Sequence, residues 1–162
     1  MAATYTPIAS ITLGAAAASV TFSSIPQTYT DLVCVVSAKA ASTAFDLYLQ
    51  FNGDTGNNYS WTALSGTGSA ASSTRNSNGP AIQLDNQGSV RTGDFTANIV
   101  HIMNYSNSTT NKTVLARANS STGVDLNVGL WRNTAAITSA TLYINSFAVG
   151  STFNLYGILG SN

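Results

Sequence analysis

The sequence predicts an all-β fold, a sandwich or barrel of many short strands. Three observations carry this. Apolar and polar residues alternate with a period of two, as where Phe45, Leu47, Leu49 and Phe51 interleave with Asp46, Tyr48 and Gln50. Turn-forming clusters break the alternation at short intervals, among them Asn52 to Asn58, Asn76 to Pro80 and Ser120 to Gly123. Helix-forming stretches are absent: Ala15 to Ala18 is too short to nucleate a helix alone.

Taken in order, strands are expected near residues 4–12, 18–24 and 31–39, the last holding the run Leu32-Val33-Cys34-Val35-Val36. The next is expected at 44–52, on the alternation just described, followed by 59–64 and 81–85. Over 93–105, Phe95, Ala97, Ile99, His101, Met103 and Tyr105 share one face. A strand over 112–119 precedes one over 124–132, where Val124, Leu126, Val128 and Leu130 alternate with Asp125, Asn127 and Gly129. Strands near 138–146 and 152–159 close the chain, with Leu142, Ile144, Phe153 and Leu155 at strand spacing. Alternation of this kind marks half-buried strands, and the Thr, Val, Ile, Tyr and Phe content suits them. Residues 65–80, rich in Ser and Gly, are expected to form a long loop, either solvated or making intersubunit contacts.

The chain has 162 residues, and no linker or repeat divides it, so one domain over 1–162 is expected. Charged residues are only 7% of it, all six acids are Asp, and the formal net charge is zero. An average soluble domain carries roughly a quarter charged residues. Lys39, Arg75, Arg91, Lys112, Arg117 and Arg132 are scattered singly, which disfavours nucleic acid as a partner, since phosphate binding needs a local cationic excess. No Lys or Arg precedes Lys39, so the positive region of a secretory signal is missing. No apolar run approaches the roughly 20 residues of a membrane helix. Zero net charge gives little protection from self-association, which suits a protein held in an assembly.

Catalytic and metal chemistry find little footing. His101, the one histidine, sits mid-strand and reads as a hydrogen-bonded structural residue. One His and one Cys do not make a zinc site without several carboxylates. Cys34 lies in an apolar run and reads as a small buried hydrophobe. A Gly-x-Ser-x-Gly nucleophile turn is absent. Asp46, Asp54, Asp85, Asp94 and Asp125 read mostly as turn and strand-end residues. The Asn52 to Asn58 segment is loosely calcium-like but lacks a distal Glu, and a hairpin turn is the expected reading. No catalytic residue, cofactor or metal is therefore expected. Sequons at Asn58, Asn104, Asn107, Asn111 and Asn119 follow from the Asn, Ser and Thr content. Tyr48, Tyr59, Trp61 and Trp131 are candidates for a sugar-stacking platform, or for packing between sheets or at a subunit contact.

Three stretches resemble a known group. They are Tyr5 to Leu13 with Val20 to Pro26 and Tyr29 to Leu32, then Phe51 to Ser60, then Phe147 to Ile158. Together they resemble the small all-β virion structural proteins of tailed bacteriophages, which serve as head decoration proteins or as parts of tail fibres. The resemblance implies an antiparallel, jelly-roll-like β-sandwich of about 8–11 short strands. It implies a non-enzymatic capsid decoration (cement) protein, made in the host cytoplasm and placed on the virion surface, on the head or the tail. The major capsid protein or other virion proteins would be the partners, with a homo-oligomer, preferably a trimer, as the working form. The alternative is a tail-fibre or receptor-binding module that recognises host surface glycan. Tyr5, Pro7, Tyr48, Tyr59, Trp61 and Trp131 are the expected interaction residues, with neither nucleic acid nor membrane among the partners.

Overall fold

The computed structural model of the chain describes residues 4–87 and 90–160, so the ends of the expected 1–162 domain lie outside the described residues. Within the described residues the alternation resolves into twelve strands and no helix. The first six are β1 (Tyr5–Thr12), β2 (Ala17–Phe22), β3 (Asp31–Ala38), β4 (Tyr48–Phe51), β5 (Tyr59–Gly66) and β6 (Ala71–Gly79). The others are β7 (Ile82–Gln83), β8 (Thr96–Met103), β9 (Lys112–Ser120), β10 (Gly123–Trp131), β11 (Ala140–Phe147) and β12 (Thr152–Ile158). They form an eight-stranded sheet in the order β1-β12-β3-β8-β9-β10-β5-β6 and a four-stranded sheet in the order β2-β11-β4-β7. Every described pairing is antiparallel. The predicted all-β antiparallel sandwich is thus the fold. Its eight-and-four division differs from the two equal sheets of a simple eight-stranded jelly roll.

Aromatic residues from both sheets meet in one core. Trp131 lies 5.5 Å from the Phe51 ring and stacks on Tyr59 at 6.2 Å, while Phe147 meets Phe153 edge-on at 4.9 Å. All five are essentially inaccessible. Burying one such side chain contributes about 1.5–3 kcal/mol. Cys34 is buried as expected, and burial pushes its thiol up to about 12.

The expected loop over 65–80 is a correction. Residues 65–66 finish β5, a tight turn closes with the Thr67 N–H donating to the Ala70 carbonyl at 3.0 Å, and β6 returns along β5 from Ala71. Gly68 takes φ +85 in that turn, a conformation that a side chain disfavours. The strand carries no hydrophobic pattern because it buries neither face: residues 71–78 are all exposed. Backbone pairing to β5 alone makes it a strand, and composition is blind to that.

The second correction concerns which way the alternation points. On β4 the apolar residues face inward: Leu49 and Phe51 are buried and Tyr48 and Gln50 are not. On β8 and β10 the sense is opposite. Thr96, Asn98, Val100 and Ile102 are buried, while Ala97, Ile99, His101 and Met103 face out. Asp125, Asn127 and Gly129 are buried, while Val124, Leu126 and Val128 are 59%, 44% and 48% exposed.

For β10 the reason lies in residues 81–87. Ala81 to Asp85 are all buried, yet only Ile82 and Gln83 belong to a strand. Buried backbone outside a ladder still needs hydrogen-bond partners. The Leu84 N–H donates to the Leu47 carbonyl at 2.8 Å, and the inner face of β10 holds the residues on either side of it. Asn127 Nδ2 donates to the Gln83 carbonyl at 3.0 Å, and Asp125 Oδ2 accepts from the N–H groups of Asn86 (3.0 Å) and Gln87 (3.1 Å). Gly129 makes room for the same segment, since a Cβ there would stand 2.4 Å from Ile82 Cγ2. Polar and small residues are inside to hold this segment, and the apolar members of the alternation are left facing solvent.

Candidate functional site

The outward-facing apolar residues form continuous rows across the eight-stranded sheet. One row runs Val35, Ile99, Arg117, Leu126, Leu64, each directly opposite the next on neighbouring strands. A parallel row runs Tyr156, Val33, His101, Leu115, Val128. Leu64 is 56% exposed, so the patch does not end at β10. Two shallow hollows lie in this face, of about 270 and 340 Å³, sharing Ile99 and Arg117 as walls. Soluble monomers rarely expose contiguous apolar patches beyond a few hundred Å².

Two polar features interrupt the apolar rows. His101 Nε2 lies 2.9 Å from Asp31 Oδ2, and Asp31 Oδ1 accepts from the Asn104 N–H at 2.7 Å. His101 is therefore hydrogen-bonded and structural in its setting, as expected, but on the outer face. Arg117 is exposed between Ile99 and Leu126 and makes no hydrogen bond or ion pair among the described residues.

The six expected interaction residues do not converge. Tyr59 and Trp131 are 0% and 1% exposed and are core residues, a correction to their expected place on a surface. The Tyr59 hydroxyl accepts from the Phe51 N–H and donates to the Asp54 carbonyl, both at 3.0 Å, and the Trp131 indole donates to Asp54 Oδ2 at 2.7 Å. Those bonds satisfy the polar tips of the two rings and let them be buried. Tyr5 and Pro7 lie exposed on the edge strand β1, with Tyr5 edge-on to Tyr156 at 6.3 Å. Tyr5 borders the smaller hollow of the apolar face. Tyr48 and Trp61 lie far from that edge, on another surface.

That second surface is a groove of about 330 Å³ where β7 meets the β5–β6 hairpin. Phe45, Tyr48, Trp61 and Tyr143 line it with Asn76, Pro80, Ala81 and Gln83. Tyr48 and Tyr143 face one another across β4 and β11, stacked at 5.3 Å and 19°. The Phe45 ring lies 6.1 Å from Tyr48 and tilted. Burial, with a smaller contribution from the Asp46 carboxylate, pushes the Tyr48 phenol up to about 12, and burial raises Tyr143 as well. Both hydroxyls therefore keep their protons across the physiological range. Gln83 Nε2 donates to Asp46 Oδ2 at 3.0 Å and, more weakly, to Asn86 Oδ1 at 3.4 Å.

The Asn52 to Asn58 segment is not a hairpin, because it carries the chain from the four-stranded to the eight-stranded sheet. Asp54 Oδ1 accepts from the Gly56 N–H at 2.9 Å, and Asn58 Nδ2 donates to both Asp54 oxygens. Desolvation raises the Asp54 carboxyl, but the bonds from Trp131, Asn58 and Gly56 outweigh it and hold the group below its ordinary value. Its oxygens serve the fold. Among the described residues, no group of three or more His, Cys, Asp or Glu side chains is gathered as a metal would need.

Sequence reasoning missed the outer apolar face, Arg117, and the partners Phe45 and Tyr143 in the groove. One signal was present: Asp125, Asn127 and Gly129 share a phase with each other, and Ala116 and Ala118 share one on the adjacent strand. That small and polar phase groups these residues on one face of two neighbouring strands, without saying which face is covered. Comparison of the chain with protein-family models and with curated proteins finds no match.

Proposed function

We propose that this chain is a non-enzymatic structural protein that docks on neighbouring protein through the outer face of its eight-stranded sheet. The observation that carries this is the exposed apolar patch of Leu64, Val124, Leu126 and Val128, between 44% and 59% accessible. Covering it removes apolar surface from water at about 25 cal/mol per Å². Free Arg117 sets a condition on the partner. An arginine buried without an acceptor would cost more than the apolar contact returns, so the opposing surface presents a carboxylate there.

The setting follows from the bacteriophage resemblance: a decoration protein seated on the outside of a capsid shell, bridging neighbouring major capsid subunits. A protein that binds only the assembled shell stabilises it by mass action. The scarcity of charge fits this role, because few exposed groups would need partners on docking.

The test uses capsid shells stripped of the protein. Wild-type chain is expected to co-sediment with them and raise the temperature and osmotic shock at which they rupture. Leu126→Lys, made at an accessible position, is expected to fold normally and to lose shell binding about 100-fold, the effect of forfeiting a buried leucine and inserting an unpaired charge. Equal rupture of bare and decorated shells, or binding unchanged in Leu126→Lys, refutes the proposal.

A further inference from the structure

The aromatic groove lies on different residues from the docking face and is not needed for it. We infer that it is a binding site for a neutral saccharide chain. The geometry begins with the order of the small sheet. Tyr143 on β11 stacks on one face of Tyr48, and Tyr48 lines the groove together with Phe45, whose ring is tilted against it, and Trp61. Trp61 is itself part-exposed rather than sealed in the core. An aromatic face is electron-rich and attracts the slightly positive C–H edge of a pyranose ring.

The polar groups are of the matching kind. Asn76 is exposed on β6, directly opposite Trp61, with its Oδ1 engaged by the Asn78 N–H at 2.8 Å and its Nδ2 left to donate. Gln83 commits its Nε2 to Asp46, which fixes the amide and leaves Oε1 with no donor among the described residues. One fixed acceptor, one free donor and two protonated phenols suit vicinal hydroxyls, which both donate and accept. No charged side chain lines the groove, which favours an uncharged sugar over an acidic one. A volume of about 330 Å³ is at the small end of ligand sites and fits one or two sugar rings. A proline-rich peptide also seeks aromatic grooves. The amide pair at Asn76 and Gln83 favours hydroxyls over a peptide, whose only regular acceptors are carbonyls.

The test is titration of the full chain with cellohexaose, maltohexaose and mannohexaose, followed by tryptophan fluorescence and calorimetry. Hexagalacturonate and a proline-rich peptide serve as acidic and peptide comparisons. At least one neutral hexaose is expected to bind saturably and to perturb Trp61. Tyr48→Ala is expected to weaken that binding about tenfold, the effect of losing one stacking face. Asn76→Ala, at an exposed position that leaves the core intact, is expected to weaken it measurably, and Leu126→Lys is expected to leave it unchanged. Failure of all three neutral sugars to bind overturns the inference. So does equal or tighter binding of the acidic sugar or the peptide, or wild-type affinity in both Tyr48→Ala and Asn76→Ala. Because Leu126→Lys reads shell docking and the groove variants read sugar binding, either proposal can fail without the other.

Discussion

Replacing Asp125 by alanine is expected to destabilise the fold more than replacing its neighbour Leu126 by alanine. Asp125 is 5% exposed, and its Oδ2 accepts two backbone N–H groups, from Asn86 at 3.0 Å and Gln87 at 3.1 Å. A buried donor left without a partner costs about 1–3 kcal/mol, so two place the loss at roughly 2–6 kcal/mol. Two effects reduce it. Asn86 and Gln87 are only part-buried, and Asp125 Oδ1 has no partner among the described residues, so the mutation also removes an incompletely satisfied buried carboxylate. The expected net loss is about 2–3 kcal/mol. Leu126 is 44% exposed and leaves no closed cavity, so the roughly 2–5 kcal/mol of a core leucine falls to about 1 kcal/mol or less. Urea unfolding followed by circular dichroism measures both. With a slope of about 2 kcal/mol per molar, Asp125→Ala should lower the midpoint by about 1 M or more and Leu126→Ala by less than about 0.5 M. Asp125→Asn, which keeps an acceptor oxygen, should fall between wild type and Asp125→Ala. If Leu126→Ala lowers the midpoint as far as Asp125→Ala, the reversed orientation of β10 and the account of residues 81–87 are both wrong.

Three further outcomes follow from the packing. The Asp54 carboxyl is held below its ordinary value in the folded chain, so the unfolded state takes up its proton first as pH falls below about 4; the stabilisation it gives is present above that pH and is lost through the lowered folded pKa. Asp54→Asn should therefore melt below wild type at pH 7, with the gap closing toward pH 2, and a gap independent of pH would contradict this. Cys34, 3% exposed with its thiol raised to about 12, should resist a thiol reagent in the native protein and react only on denaturation, so rapid native labelling would contradict its burial. Gly157→Ala would bring a Cβ to 2.3 Å from the Tyr29 ring, and forced displacement of that part-buried ring should cost about 1–3 kcal/mol in thermal or urea unfolding, so an unchanged midpoint would show the contact to be loose.

How much of this was legible beforehand depended on what each signal reports. The period of two in 124–132 is a backbone property, and it identified β10 before any tertiary contact was known. The same alternation reads identically whichever face is covered, so it could not say that Leu126 points outward. Tyr48 and Trp61 stood out by residue type, as did Tyr59 and Trp131, but only the first pair is accessible. Type is shared by core and surface aromatics; what separates them is Asp54, which reaches Trp131 from 77 positions away in the chain and supplies a carbonyl to Tyr59. Tyr143 joined the groove through strand order, which has no local signature, whereas Phe45 lies just ahead of β4 and outside any strand.

Composition and periodicity by themselves determined an all-β chain whose single cysteine is buried among apolar neighbours, because these follow from side-chain preferences acting over a few residues. Tertiary structure alone decided three things. It made residues 71–78 a strand, through pairing with β5. It turned Asp125 and Asn127 inward, where they bond the backbone of Gln83, Asn86 and Gln87 in the segment packed beneath β10. It thereby left Leu64, Leu126 and Val128 on the surface, where they form the exposed apolar face. Each depends on which distant backbone lies alongside, and a partner that far away leaves no imprint on local pattern.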